Sequence, residues 1–256
     1  MTAAATPDLP LGASAGPEDR WDAFQRELPA GGCELEVSIL FADVRGSTAL
    51  AERLSPTAFG ELMCGFYRLA GDVVARSGGV IEKLVGDGVV ALFIPGITGP
   101  DHARRAIEAA HALLGAVECD ADGNLRPPVG VAVHTGRVWL GMVPGPYGRR
   151  DLTALGDPVN VAAHLCAAAG PGEVAVSERA ARAADRIAAG HAPRPVRVKR
   201  RQAPVTARFY APPAAPSRHS CFGAPAGDSK SLRYSPYPSA SSFSTGMKRR
   251  AAELIQ

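Results

Sequence analysis

The sequence lacks paired cysteines and long apolar runs. Its five cysteines are odd in number and form no Cys-x-x-Cys pair, which disfavours a disulfide framework or a zinc site and fits a reducing compartment. No apolar run approaches about 18 residues, and the N-terminus has no basic start followed by an apolar segment. We therefore expect a soluble, cytoplasmic protein without a membrane partner.

A basic excess is also missing from most of the chain. The 256 residues carry 28 Lys+Arg and 25 Asp+Glu, a net charge of +3. Residues 211–256 hold six of these basic and two of these acidic groups, which leaves 22 basic and 23 acidic groups in residues 1–210. Residues 1–210 therefore have a net charge of −1 and lack the basic excess typical of nucleic-acid-binding proteins. No nucleic-acid partner is expected.

The composition divides the chain into one folded domain with two irregular ends. With 46% apolar and 21% charged residues, the chain can bury a sizeable core. Residues 1–32 are rich in Ala, Pro and Gly and predict a flexible leader, with one short helix around residues 21–28. The folded domain is expected at residues 33–210. Residues 211–256 contain nine Ser and six Pro and predict a disordered basic tail.

Between residues 36 and 210, apolar periodicity and turn residues predict the element order βααββαββαβαββ. Within it, VGVAVHTG and RVWLGMV are expected as two short strands, and Asp157 as the N-cap of a helix. Helices that alternate with antiparallel hairpins indicate an α+β domain, with its helices packed on a sheet. Cys64 and Cys166 lie on apolar helical faces and are interpreted as core residues, and His134 as a structural histidine.

Two aspartates lie beside glycines at the ends of apolar runs. Asp43, in FADVRGST, closes a strand, and Asp87, in EKLVGDGVV, lies at the tip of a hairpin, so both can meet at one sheet edge. Two close carboxylates repel unless a cation bridges them, and magnesium commonly takes such oxygen ligands together with substrate phosphates. The turn at Gly46, Ser47 and Thr48 offers backbone N–H groups to those phosphates. Either aspartate alone is more often a cap or a turn residue.

A third motif, LGDPVNVAAH, begins a helix. Asn160 lies in the first helical turn and His164 four residues later, so both project from one face near the positive end of the helix. That position suits an anionic ligand rich in oxygen. The alternative is that Asn160 assists capping and His164 is a histidine of the polar face.

In their order and spacing, FADVRGST, EKLVGD and LTALGDPVNVAAH resemble the signature segments of the class III nucleotidyl cyclases, the adenylate and guanylate cyclase catalytic domain. The resemblance covers residues 36–210. It implies a ferredoxin-like core with an antiparallel sheet, and a head-to-tail dimer with active sites in the groove between subunits. It also implies conversion of a nucleoside triphosphate to a 3′,5′-cyclic monophosphate and pyrophosphate.

The resemblance implies roles for individual residues. Asp43 and Asp87, with the carbonyl of Val44, would hold two Mg²⁺ or Mn²⁺ ions. One ion would help activate the ribose 3′-oxygen, and the other would bind the phosphates. The nucleotide itself would be contacted by Lys83 and Thr153 at the base, Asn160 at the ribose and Lys199 at the triphosphate.

Two residues bear on the choice of base. Lys83 and Lys199 are the two lysines of residues 1–210 in a chain that otherwise uses arginine. The ammonium of Lys83 suits the N1 acceptor of adenine, and the Thr153 hydroxyl can accept from the N6 amine, although a lysine can also donate to guanine O6. Because guanylyl cyclases usually carry Glu at the lysine position, the resemblance favours ATP and an adenylate cyclase.

His164 departs from the family pattern, which has Arg at this position to neutralise charge on the α-phosphate. Loss of such a stabiliser costs on the order of 10² to 10³ in rate, and histidine is mostly neutral at pH 7. We predict weak activity that rises toward mildly acidic pH. Arg149 and Arg150 could compensate, or could form a solvated turn pair. The alternative is a catalytically silent cyclase-like module that binds nucleotide or serves regulatory dimerisation.

Overall fold

The computed structural model describes residues 17–118, 127–144, 150–185, 192–199 and 201–211. All of them belong to one unit that runs from Met1 to Ala214. The predicted tail beyond residue 211, the first sixteen residues of the predicted leader, and Arg149 lie outside the described residues.

The described residues form seven helices and eight strands. The helices are α1 (Pro17–Glu27), α2 (Ser47–Arg53), α3 (Pro56–Arg76), α4 (Pro95–Thr98), α5 (His102–Glu118), α6 (Asp157–Ala168) and α7 (Glu178–Ala183). The strands are β1 (Cys33–Val44), β2 (Val80–Val85), β3 (Gly88–Phe93), β4 (Val129–Pro144), β5 (Arg150–Leu155), β6 (Val174–Ser177), β7 (Arg194–Val196) and β8 (Val205–Tyr210). None of these helices is long and apolar enough to cross a membrane.

All eight strands join one sheet in the order β2-β3-β1-β4-β6-β8-β7, and β5 pairs with β4. Every strand pair in the described part of the chain is antiparallel except β4 with β6. Those two strands run parallel because β5 and α6 lie between them in sequence and provide the crossover that a parallel pair needs. The predicted α+β fold, with helices packed on a largely antiparallel sheet, is confirmed.

Helices cover both faces of the sheet. Leu40, Ala42 and Val44 of β1 face the core under α3, α5 and α7. Val37 and Ile39, one step out of phase, face a second core shared with α1, α6 and the β4–β5 hairpin. This alternation follows from the two-residue period of a strand. Strand β3, which lies between β2 and β1, is buried along its whole length because both of its faces are covered.

The predicted series of helices and strands agrees with the structure between β1 and β8, with α4 as an addition, but the two strands before α6 are β4 and β5 and not the two expected segments. The two strands expected from VGVAVHTG and RVWLGMV are, however, one continuous strand, β4. The reason is β1, whose twelve residues pair without a break with residues 129–140 of β4 and carry the hydrogen-bond ladder through the middle of both segments. The apolar pattern of the β4 segment does not show that it pairs with so long a strand.

Two further expectations are corrected. Phe24 of α1 and Leu28, which directly follows that helix and donates its N–H to the Phe24 carbonyl oxygen, are buried in the second core. Residues 17–28 of the predicted flexible leader therefore pack against the domain. The two side chains are four residues apart and therefore share one helix face. Cys64 is exposed on α3, because it falls beside the buried stripe that begins with Met63 and Phe66, whereas Cys166 is buried as expected.

Candidate active site

The structure brings Asp43 and Asp87 together at one edge of the sheet. Asp43 is the penultimate residue of β1, and its neighbours across the sheet are Gly88 of β3 and Gly130 of β4. Asp87 immediately precedes Gly88 in the two-residue turn between β2 and β3. The turn is tied to β1 because the Val44 N–H donates to the Asp87 carbonyl oxygen at 3.3 Å.

The charge of Asp87 affects the pKa of the Asp43 carboxyl group. Burial raises the pKa of Asp43, the charge of Asp87 and a side-chain hydrogen bond to Asp87 raise it further, and the Arg45 guanidinium lowers it. A cation between two such carboxylates would relieve their repulsion, and their oxygens are the ligands that Mg²⁺ and Mn²⁺ take. The side chain of Val44 is buried on the opposite face of β1, so its main chain is the part that can serve the site. The donors present therefore fit a divalent cation.

Arg45 is a residue of this edge that the sequence reasoning missed. Its guanidinium forms an ion pair with Asp43 Oδ2 at 2.9 Å, and also donates to the carbonyl oxygen of Cys166 in α6. The guanidinium lies directly over Gly130, where an added Cβ would come within 3.0 Å of three of its atoms. The sequence signal was available: residues 43 and 45 are two apart and project from the same side of an extended chain.

Tyr67 of α3 fixes the turn that carries Asp87. Its hydroxyl donates to the carbonyl oxygen of Gly86 at 2.5 Å. Gly86 has φ +56, a left-handed conformation that glycine adopts without steric cost. Burial raises the pKa of Tyr67, and the nearby charge of Asp87 raises it further. Helix α3 thus holds the aspartate in place through the main chain of its turn.

The predicted phosphate turn follows β1 directly. Gly46 is the N-cap of α2, and Ser47 begins the helix. Gly46 and Thr48 are exposed and Ser47 is half-buried, so the turn is open to solvent beside Asp43.

The predicted base-reading residues lie on β2 and β5. Lys83 is opposite Val90 of β3, and Thr153 is opposite Gly141 of β4. The structure joins them through Glu82, whose Oε1 accepts from the Ala154 N–H at 3.1 Å and lies 2.9 Å from Lys83 Nζ. Glu82 is a second residue that the sequence reasoning did not single out.

Helix α6 carries Asn160 and His164 one turn apart. Asn160 is exposed and His164 is half-buried. The helix begins differently from the prediction: Gly156 is the N-cap, and Asp157 is the first helical residue without a side-chain capping bond. The carboxylate of Asp157 instead forms an ion pair with Arg201 at 2.7 Å.

Lys199 is held beside the start of the same helix. Val198 is buried in a cluster with Val161 and Leu165 of α6, while Lys199 next to it is exposed. On the other side of Lys199, the Arg201 N–H closes a turn to the Val198 carbonyl at 3.1 Å, and the Arg201 side chain reaches Asp157. Two anchors therefore present Lys199 near the N-terminal end of α6.

A comparison with known protein families identifies the family to which the chain belongs. The model of the adenylate and guanylate cyclase catalytic domain matches residues 33–205. The protein belongs to the class III nucleotidyl cyclases. An adenylate cyclase from Anabaena cylindrica is 32% identical over 133 residues, which cover 50% of this chain and 26% of that relative. The chain therefore matches about a quarter of that relative's length.

Solved structures give the same result for the fold. The guanylyl cyclase Cya2 superposes on this cyclase with a TM-score of 0.65 and 25% identity, covering 73% of this chain and 98% of that one. The adenylyl cyclase CyaB from P. aeruginosa superposes with a TM-score of 0.61 and 25% identity, covering 71% of this chain and 96% of that one.

The predicted residues of this cyclase form three separate groups within one chain. Asp43 and Asp87 form the first, Lys83 and Thr153 the second, and the α6 residues with Lys199 the third. Within the described ranges, no hydrogen bond or ion pair connects the aspartates with either of the other groups. The link from the first group to α6 is Arg45, which reaches Cys166, a residue in the second half of that helix.

Proposed function

We propose that the protein is an adenylate cyclase that converts ATP to 3′,5′-cyclic AMP and pyrophosphate. The observation that carries the proposal is the meeting of Asp43 and Asp87 at the end of β1, in a chain of the nucleotidyl cyclase family. In the reaction the ribose 3′-oxygen forms a bond to the α-phosphorus, the bond from that phosphorus to pyrophosphate breaks, and the 3′-hydroxyl loses its proton.

Asp43 and Asp87, with the carbonyl of Val44, hold two Mg²⁺ or Mn²⁺ ions. Bound there, such ions supply positive charge to the phosphates and favour the ionised 3′-oxygen. The turn of Gly46, Ser47 and Thr48 binds phosphate oxygens through its main-chain N–H groups. The ion pair of Arg45 with Asp43 keeps this edge partly neutral and sets the direction of the carboxylate.

The remaining residues bind and orient the nucleotide. Lys83 donates to N1 of adenine and Thr153 accepts from the N6 amine. Asn160 orients the ribose, and Lys199 contacts the triphosphate from the turn that Val198 and Arg201 anchor. His164 occupies the place of the arginine that neutralises the α-phosphate in relatives, so turnover is weak.

The protein works as a head-to-tail homodimer in which each site takes its aspartates from one copy and its base-reading residues from the other. Support comes from three exposed hydrophobic side chains, Leu84, Val85 and Leu155, which are 46%, 51% and 51% exposed. Leu84 and Val85 directly follow Lys83 on β2, and Leu155 lies two residues after Thr153 on β5. Apolar side chains in this position are suited to burial against a second copy.

Cyclic AMP formation by the purified chain with ATP and Mn²⁺ tests the proposal. Wild type should form product, and Asp43→Ala should lower the rate by about 10³-fold, since a metal-binding carboxylate is lost. Asp72→Asn, on the exposed side of α3, is the matched control and should retain full activity. Equal rates for Asp43→Ala and wild type would contradict the proposal.

A second candidate is a silent cyclase-like module that binds nucleotide or dimerises without turnover. The residue that favours it is His164, because the family resemblance implies an arginine at this position. The complete pair of aspartates argues against it, because binding alone does not need both carboxylates. No cyclic AMP or cyclic GMP, together with retained binding of ATP, would establish the silent module.

A further inference from the structure

Glu82 is the most deeply buried acid near the proposed nucleotide-binding residues. The side chain has 0% exposure, while Lys83, its ion-pair partner, is 42% exposed. Its Oε1 serves two groups at once, the Lys83 ammonium and the Ala154 N–H. Ala154 directly follows Thr153. One carboxylate therefore contacts one proposed base-reading residue and the main chain beside the other.

Glu82 also lies at an irregularity in the β2–β3 pairing. Ile81 pairs with Ala91, but Lys83 pairs with Val90, so Glu82 is an extra residue, a β-bulge. Residues directly opposite each other in antiparallel strands share a face. Val90 belongs to the core of α1 and the β4–β5 hairpin, so the bulge turns Lys83 toward β5. In a strand without the bulge, Glu82 would lie opposite Val90 and Lys83 opposite Val89, which faces the other core, so Lys83 would lie on the opposite face of the sheet.

The second oxygen of this carboxylate is buried without a hydrogen-bond partner among the described residues. Burial of a charged oxygen without a donor is unfavourable, and an ion pair with a partly exposed lysine contributes little to stability. Stability is therefore a poor reason for an acid at this position. A different reason for an acid at this position is that Oε1 contacts both Lys83 and the main chain beside Thr153.

We propose that Glu82 is a positioning residue that sets the preference for adenine over guanine, by fixing the direction of Lys83 and the distance between β2 and β5. This inference rests on the proposed nucleotide site. A freely rotating ammonium donates equally well to N1 of adenine and to O6 of guanine. An ammonium held on one side by Glu82 points its remaining N–H groups in fixed directions, and the Thr153 hydroxyl stays at a fixed distance from it.

Glu82→Gln tests the inference because it keeps the shape and one acceptor oxygen but removes the charge that holds Lys83. The measurement is the dissociation constant for α,β-methylene ATP and for α,β-methylene GTP with Mn²⁺, by calorimetry on the full chain. Wild type should prefer the adenine nucleotide, and Glu82→Gln should reduce that preference about tenfold, the worth of one charged hydrogen bond. Glu36→Gln, which removes an exposed ion pair with Arg179, should leave it unchanged.

A double-mutant cycle separates positioning from a general structural role. In a Lys83→Met background, Glu82→Gln should have no further effect on the ratio of the two dissociation constants, because its partner is gone. If Glu82→Gln does not fold, Glu82→Asp, too short to reach both partners, should produce the same loss of preference.

The outcomes distinguish the two proposals. A wild type that binds neither nucleotide overturns the proposed function and the inference together. A wild type that prefers adenine, with the preference unchanged in Glu82→Gln and Glu82→Asp, overturns the role of Glu82 alone. An equal loss of preference with and without Lys83 would also overturn it, because Glu82 would then act on the fold and not through Lys83.

Discussion

The carboxylate edge of this cyclase, at Asp43 and Asp87, and its proposed nucleotide-reading surface differ in how their side chains are held. At the carboxylate edge, Asp43 is paired with Arg45, and the Asp87 turn is fixed by Tyr67 and by the main chain of Val44. At the reading surface, Lys83, Asn160 and Lys199 are exposed. Under the proposed function, one copy completes the carboxylate half of the site within itself and presents the nucleotide-reading half to a second copy.

The largest expected effect concerns the reading surface. His164→Arg should raise turnover on the order of 10²-fold, because a permanent positive charge would then meet the α-phosphate. Initial rates of cyclic AMP formation with Mn²⁺, compared between wild type and the variant, measure it.

A variant no faster than wild type would break this part of the comparison, because it would show that His164 does not take part in the reaction.

The next effect concerns the carboxylate edge. Gly130→Ala places a Cβ less than 3.0 Å from the Arg45 guanidinium, which must leave Asp43 and Cys166. We expect a loss of about 2 kcal/mol in the free energy of unfolding, the sum of a lost ion pair and a lost hydrogen bond. Urea denaturation measures it. Gly115→Ala is the control, since Gly115 has open space around it on α5 and alanine should stabilise the helix slightly.

A Gly130→Ala protein as stable as wild type would show that Arg45 does not hold this edge. The carboxylate edge would then be held in place by the pairing of its strands alone.

The third effect, close in size to the second, concerns His134, a buried histidine of β4. His134 is 6% exposed, and its Nδ1 lies 2.8 Å from Ser177 Oγ. Burial, with the charges of Arg179 and Arg201, lowers its pKa to about 4 from 6.5. Between these values the unfolded chain binds a proton that the folded chain does not. This contribution to stability is therefore complete above pH 6.5 and is lost as pH falls toward 4.

From pH 7 to pH 5 the loss should be about 2 kcal/mol. Urea denaturation of wild type and His134→Gln at both pH values tests it, and the variant should lose clearly less. Burial lowers the pKa of His102 too, so a smaller dependence of the same sign should remain in the variant. An identical loss in both proteins would contradict the assignment.

Much of the carboxylate edge could be predicted because its determinants are local. Asp43 closes an apolar strand, and the Gly86-Asp87-Gly88 turn specifies a hairpin, so two short patterns were enough to bring both acids together. The start of α6 was misplaced by one residue. A side-chain cap for Asp157 is a local rule, but Arg201, 44 residues away, competes for the same carboxylate.

The features that escaped prediction depend on distant partners. Arg45 contacts a carbonyl 121 residues later, and Glu82 contacts an N–H group 72 residues later. The bulge at Glu82 is a property of how β2 pairs with β3, and the continuity of β4 is a property of its pairing with β1. Periodicity within a segment carries no information on either.

Mixing two inactive variants tests the central claim, that each site joins the carboxylate edge of one copy to the reading surface of another. Asp43→Ala disables the first half and Asn160→Ala the second, and both should be nearly inactive alone. Mixed in equal amounts, half of the dimers should contain one intact site, and activity should return to about a quarter of the wild-type rate. A mixture as inactive as its components would contradict a site shared between two copies.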